Sequence, residues 1–67
     1  MYNDYLVTVS NADNMICSIK RNGKFNRKLS ENAFTQYQVA GTNEQDAIAR
    51  TIRLAAKTGT AITNGLN

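Results

Sequence analysis

Apolar and polar positions alternate in two stretches near the start of the chain, which predicts β-strands over residues 4–10 and 15–21. Residues 11–14 (Asn-Ala-Asp-Asn) predict a turn between them, because Asn and Asp side chains bond to their own backbone. An antiparallel hairpin with this turn keeps the apolar residues on one face. Its predicted facing pairs are Val9 with Met15, Val7 with Cys17 and Tyr5 with Ile19.

The dipeptide Asn22-Gly23 predicts a second hairpin, since Asn-Gly between extended segments is the strongest short-range hairpin signal. A three-residue loop with Gly23 in the left-handed conformation sets Phe25 opposite Ile19 and keeps apolar residues together. The strands predicted after this loop cover residues 24–29 and 35–40, and Phe25 and Leu29 join the core face.

The clearest helical pattern covers residues 43–58, where apolar side chains recur every three or four positions. Thr42 and Gln45 have the spacing of a capping box, in which each side chain bonds to the backbone of the other. Gly59 is a C-terminal stop, and residues 60–67 form either a short edge strand or a frayed tail. The face expected to meet the sheet comprises Ala47, Ile48, Thr51, Ile52, Leu54 and Ala55.

Together these elements predict a single α+β domain over residues 1–67. Its sheet is a three- to four-stranded antiparallel β-meander, with one C-terminal α-helix packed on one face. So short a chain buries only about 60% of its unfolded surface, so the core is thin. The single cysteine forms no internal disulfide, and without histidine no ordinary zinc site is available. Self-association is then the main remaining source of stability.

Some apolar residues fall on the sheet face opposite to the predicted core, or near its margin. We expect this second apolar surface to be covered by another copy of the chain, which predicts a homo-oligomer. The residues assigned to the oligomer interface are Leu6, Ile16 and Phe34.

Residues suited to catalysis are scarce in the sequence. The chain has no histidine, so the commonest general base and every histidine-dependent nucleophilic site are missing. The carboxylates are scattered, and the four glycines match no phosphate-binding loop. Cys17, at an inward strand position, is interpreted as a small core side chain. We therefore expect no enzymatic activity, no catalytic residue, no cofactor and no metal site.

Positive charge is concentrated in one part of the chain. Five of the eight cationic side chains lie in residues 20–28, and the formal net charge is +3. A basic ribbon keeps a sheet surface soluble, contacts nucleic-acid phosphates from the major groove, or docks on an acidic protein surface. A second basic stripe lies on the helix. The residues assigned to partner or nucleic-acid binding are Lys20, Arg21, Asn22, Lys24, Asn26, Arg27, Lys28, Arg50 and Arg53.

The segment from Tyr37 to Ile48, in which a strand leads into a capped helix, resembles a segment common in short phage and mobile-element proteins. Small size and scarce catalytic chemistry suit an accessory protein of that type. We expect a non-enzymatic stoichiometric regulator or inhibitor of a host protein or protein–nucleic-acid complex, acting through the basic hairpin. Direct nucleic-acid binding by the same hairpin is the alternative. A self-assembling subunit or a small-ligand-binding oligomer is a further one.

The apolar run from Tyr5 to Val9 is too short to span a bilayer or to form the core of a signal peptide. The single cysteine fits a reducing compartment. We therefore expect a complete, cytoplasmic protein with no membrane partner.

Overall fold

The computed structural model describes residues 1–28 and 33–66 of the chain. Its elements are β1 (Asn3–Ser10), β2 (Met15–Arg21), β3 (Phe34–Gly41), α1 (Glu44–Lys57) and β4 (Thr63–Asn64). The strands form one sheet in the order β3-β1-β2-β4. β1 is antiparallel to both neighbours, and β4 is parallel to β2. Because α1 packs against β1 and β3 on one face, the predicted α+β class is confirmed. We call the face under α1 the inner face and the opposite one the outer face.

The strand order differs from a simple meander, because β3 pairs with β1 and not with β2. This pairing runs from Asn3 opposite Gly41 to Ser10 opposite Phe34. Residues 5–9 of β1 are buried without interruption, which is typical of a central strand covered on both faces. A buried strand needs hydrogen-bond partners along both edges, and β2 and β3 supply them.

The strand predicted over residues 24–29 is wrong in its described part, because residues 24–28 form no strand. Phe25, expected in the core, is 54% exposed. Leu29 lies outside the described residues. The physical reason is that the chain after β2 leaves the sheet and covers the outer face of β1.

The departure from the sheet begins at Asn22, which takes the left-handed conformation that was predicted for Gly23. Asn tolerates this conformation better than most residues, and here its φ is 58°. The Asn22 N–H bonds to the carbonyl of Asp4 at 2.8 Å. Gly23 then lies directly on Leu6, where an added Cβ would come within 2.8 Å of the Leu6 Cβ. Glycine is therefore required here for close approach and not for its backbone conformation.

The β1–β2 register also differs from the prediction, because β2 contains a bulge next to Cys17. The facing pairs around it are Val7 with Ile19 and Val9 with Ile16. Cys17 is the extra residue between these pairs, so Ile16 and Ile19 both face inward although they are three positions apart. Ile16 is 0% exposed, whereas Met15 is 37% exposed and Cys17 is exposed. The predicted inward positions of Met15 and Cys17, and the outward position of Ile16, are wrong.

The helix cap is shifted by one residue from the predicted capping box. Asn43 is the N-cap, and its Oδ1 accepts the Asp46 N–H at 2.8 Å. The Asp46 carboxylate in turn accepts the Thr42 N–H at 2.9 Å. Asn43 and Asp46 thus take the capping roles predicted for Thr42 and Gln45, but Asp46 binds the N–H of Thr42, which precedes the N-cap, and not that of Asn43. A carboxylate is favoured over an amide in this role because it also interacts with the positive end of the helix dipole.

The C-terminal end of α1 follows the predicted stop signal. Gly59 has a φ of 82°, and its N–H bonds to the carbonyl of Ala56. The N–H of Thr60 bonds to Ala55, which completes a Schellman motif. Of the two alternatives for the tail, the edge strand is observed, since β4 lies along β2.

One apolar core lies between the inner face and α1. Leu54, expected in this core, is instead 44% exposed on the helix surface. The buried core residues are Tyr5, Val7, Val9, Ile16, Ala47, Ile48, Ala55 and Ile62.

The bulge predicts very different effects for two neighbouring substitutions. Ile16→Ala should lower the free energy of unfolding by about 2–5 kcal/mol, because it empties a fully buried site. Met15→Ala should change it by less than about 1 kcal/mol, because that side chain is exposed. Urea unfolding followed by circular dichroism measures both. Similar losses for the two variants would contradict the bulged register.

Candidate binding surfaces

The predicted basic hairpin is not formed, and its cations are divided between the two faces of the sheet. Lys20, Lys24 and Asn26 line a concavity of about 260 Å³ on the outer face, which we call the outer concavity. Its other lining residues are Leu6, Thr8, Cys17, Ser18, Phe34 and Gln36. The structure thus brings three of the predicted binding residues together, but around a covered sheet face and not on a protruding ribbon.

The outer concavity is held in place by the contact between Asn26 and Gln36. The Asn26 N–H donates to Gln36 Oε1 at 2.8 Å, and Gln36 Nε2 donates to the Asn26 carbonyl. Asn26 Oδ1 also accepts the Lys28 N–H at 3.0 Å. The two bonds between Asn26 and Gln36 attach residues 22–26 to β3 after they have crossed β1 at Leu6. Sequence reasoning missed Gln36, because nothing in the local pattern shows that its side chain binds a backbone ten residues earlier.

Two other residues of the predicted hairpin lie elsewhere. Arg21 is opposite Tyr5 and lines a concavity beside the start of α1, together with Glu44. Asn22 lines a separate concavity with Asp4. Arg27 and Lys28 follow Asn26 and are both exposed.

The basic stripe on the helix forms a second surface, which we call the helix–β3 groove. Arg50, Arg53 and Lys57 line this groove of about 350 Å³. Its apolar lining comes from Leu54 on α1 and from residues 39–40 on β3. Lys57 and the apolar lining were not among the predicted binding residues, because their position beside β3 depends on the strand order.

Arg50 is engaged within the molecule. Its Nε donates to the Asp46 carboxylate at 3.1 Å, and a terminal nitrogen donates to the Tyr2 hydroxyl at 3.0 Å. The guanidinium also lies 4.9 Å from the centre of the Tyr2 ring, which is a cation–π distance. Asp46 and Arg50 are four positions apart, which is the spacing at which opposite charges pair across one helical turn. Arg50 therefore has less capacity for a partner than the other cations of the groove.

This network shifts two pKa values in the directions expected for charged partners. The hydrogen bond from the Thr42 N–H is the main cause that lowers the pKa of Asp46, and Arg50 lowers it further against the opposing effect of desolvation. The pKa of Arg50 is raised, first by its hydrogen bond to Asp46 and then by that to Tyr2. Both groups therefore stay charged at neutral pH.

Unlike Arg50, the other basic side chains of the two surfaces are exposed and form no ion pair within residues 1–28 and 33–66. These side chains are Lys20, Lys24, Arg53 and Lys57. Their charge is therefore not neutralised by the carboxylates placed in those ranges. Positive potential remains at both the outer concavity and the helix–β3 groove.

The predicted oligomer interface does not correspond to a continuous exposed surface. Ile16 belongs to the inner core, so it has no side-chain surface to offer a second copy. Leu6 does face outward, but it is only 6% exposed because Gly23 lies on it. Phe34 is half-buried in the lining of the outer concavity. Leu6 and Ile16 are thus already covered within a single chain.

Cys17, the single cysteine of the chain, lines the outer concavity. Its Sγ is 3.6 Å from the Thr8 carbonyl, and the chain has no histidine to activate it. Within residues 1–28 and 33–66, no group of three or more His, Cys, Asp or Glu side chains has a metal-binding arrangement. In the same ranges, no helix is both long and apolar enough to cross a membrane.

Comparisons with protein families, with curated proteins and with solved structures gave no match for this chain. The two basic surfaces themselves are therefore the basis for inferring a function. Of these, the outer concavity contains the most residues that the sequence pattern had already assigned to binding.

The lowered pKa of Asp46 predicts an acid-sensitive contribution to stability. A carboxyl whose pKa is lower in the folded state stabilises the fold above its ordinary value, near 3.8, and loses that effect as pH falls through the lower native value. Asp46→Asn should therefore reduce the loss of stability between about pH 5 and pH 2. Thermal unfolding measured at a series of pH values tests this.

The matched control is Glu44→Gln, which removes another exposed carboxylate from the same turn without touching Thr42 or Arg50. An Asp46→Asn variant with the acid sensitivity of the unmodified protein would contradict the role of the Thr42 and Arg50 contacts.

Proposed function

We propose that this chain is a small, non-enzymatic binding protein that acts stoichiometrically on another protein. In this proposal it is an accessory protein of the phage or mobile-element type, and it regulates or inhibits a host protein in the cytoplasm. Its contact surface is the outer concavity with Lys20 and Lys24, in place of the hairpin expected from the sequence.

The observation that carries this proposal is the position of Lys20 and Lys24 around one concavity without an acidic partner among the described residues. The fold holds them there, because β2 places Lys20 beside Leu6 and the Asn26–Gln36 bonds fix the segment that contains Lys24. Two cations whose backbone positions are fixed around one concavity favour an acidic partner.

A protein surface suits the outer concavity better than a nucleic-acid groove. A β-ribbon can enter the major groove, but residues 24–28 form no strand that could make such a ribbon. Lys20 and Lys24 also share the concavity with the apolar groups of Leu6 and Phe34. A mixture of cations and apolar side chains is typical of protein interfaces, whereas nucleic-acid interfaces are more strongly charged.

The test is affinity capture with the tagged protein from lysates of cells that carry it, with and without nuclease treatment. We expect one protein to be captured at a constant molar ratio in both conditions. Lys20→Glu combined with Lys24→Glu should weaken capture roughly tenfold, because two attractive contacts become repulsive. The control Arg21→Glu makes the same kind of charge change on the inner face and should retain the partner.

Two results would overturn the proposal. One is capture that persists unchanged in the Lys20→Glu/Lys24→Glu variant. The other is recovery of nucleic acid that is lost with nuclease, with binding that falls with salt at a log–log slope of about −0.9 per duplex phosphate contacted. The second result would establish direct nucleic-acid binding in its place.

A further inference from the structure

β3 is an edge strand, and along residues 37–40 the side of it that faces away from β1 has no partner strand within residues 1–28 and 33–66. Among the residues that the structure describes, the backbone of this stretch pairs with β1 only. β3 is eight residues long and contains no charged residue and no proline. Long, uncharged edge strands are unusual in free proteins, because their open N–H and C=O groups recruit other strands.

The opposite edge of the sheet has the protective features that β3 lacks. β4 is only two residues long, and β2 beside it has a bulge at Cys17. β2 also ends in the charged pair Lys20 and Arg21. Short strands, bulges and charged side chains all discourage strand addition. The contrast between the two edges of one small sheet indicates that the β3 edge is the one suited to a partner.

Cations flank β3 on both faces of the sheet. On the outer face, Lys24 lines the same concavity as Phe34 of β3. On the inner face, Arg53 and Lys57 line the helix–β3 groove, where Leu54 provides an exposed apolar contact. A strand added to β3 would therefore have positive charge above and below it, and acidic side chains would complement that charge.

We propose that an extended, acidic segment of the partner protein binds as an additional strand along the open edge of β3, on the side away from β1. This inference rests on the proposed function and specifies the element of the partner that is recognised. Backbone hydrogen bonds to β3 supply the docking geometry, and Lys24, Arg53 and Lys57 select for acidic side chains. Leu54 contacts apolar side chains that alternate with the acidic ones on the helix side.

A second copy of the chain fits this edge poorly. A two-fold pair of β3 strands has to be antiparallel, which places both α1 helices on the same face of the joined sheet. Arg53 and Lys57 of one copy would then approach the same residues of the other. Like charges at an interface are unfavourable, so charge complementarity selects an acidic partner over self-pairing.

The direct test is an NMR titration of the intact chain with a blocked peptide of about eight residues that has the repeat Glu-Glu-Val-Val, which places Glu and Val in turn on each face of the added strand. We expect the largest amide shifts along residues 37–40 and slower hydrogen exchange of the N–H groups there. An added strand presents only every second N–H to β3. Methylation of one alternate set of peptide nitrogens should therefore abolish binding, whereas methylation of the other set should leave it nearly unchanged.

Charge selection is measured in the same titration. The equivalent peptide of Lys and Val should bind at least tenfold more weakly than the Glu peptide. Arg53→Glu combined with Lys57→Glu should weaken binding of the Glu peptide roughly tenfold, whereas Arg21→Glu should change it less than twofold. Arg21 is the control because β1 separates it from β3 and because it lines the concavity at the start of α1 and not the helix–β3 groove.

The results that would contradict strand addition differ from those that would contradict the proposed function. Equal effects of the two methylation patterns, or shifts confined to the outer concavity, would overturn strand addition and leave stoichiometric binding through Lys20 and Lys24 intact. Absence of any peptide-induced shift at residues 37–40 at millimolar peptide would also overturn it. So would concentration-dependent pairing of β3 with a second copy, seen by light scattering together with the same amide shifts in the absence of peptide.

Discussion

Burial of β1 on both of its faces is the constraint on which the rest of the structure depends. Its residues 5–9 are continuously buried, so one face needs α1 and the other needs a second covering segment. Gly23 supplies that second cover by lying on Leu6 without a side chain in between. Within residues 1–28 and 33–66, the loop after β2 takes the place of a second layer on that face.

This central position of β1 also determines where charge and open backbone groups lie. β3 pairs with the edge of β1 that β2 does not occupy. The chain therefore passes from β2 to β3 across the outer face of β1, and residues 22–26, which include Lys24, lie on that face. Lys20 and Lys24 then surround the outer concavity, and β3 becomes an open edge between that concavity and the helix–β3 groove. The two proposals thus depend on one topological feature.

The sequence predicts local features well and non-local ones poorly. The strands at β1 and β2, the helix, its Gly59 stop and the Asp46–Arg50 pair follow from periodicity and short-range chemistry. The Asn22-Gly23 dipeptide was misleading, because Asn22 adopts the left-handed conformation and Gly23 is selected by contact with a distant strand. Alternation also cannot show a bulge, although two isoleucines three positions apart in β2 are consistent with one. The grouping of Lys20 with Lys24 was foreseen, but the surface that they form depends on Gln36.

The position of β1 inside the sheet, beneath residues 22–26, can be tested directly by NMR of the intact chain. In a central strand every N–H is paired, whereas in an edge strand only alternate ones are. All amides of residues 5–9 should exchange slowly, and Gly23 should show nuclear Overhauser contacts to the Leu6 methyl groups. Alternating fast and slow exchange along β1, together with no contact between Gly23 and Leu6, would contradict it.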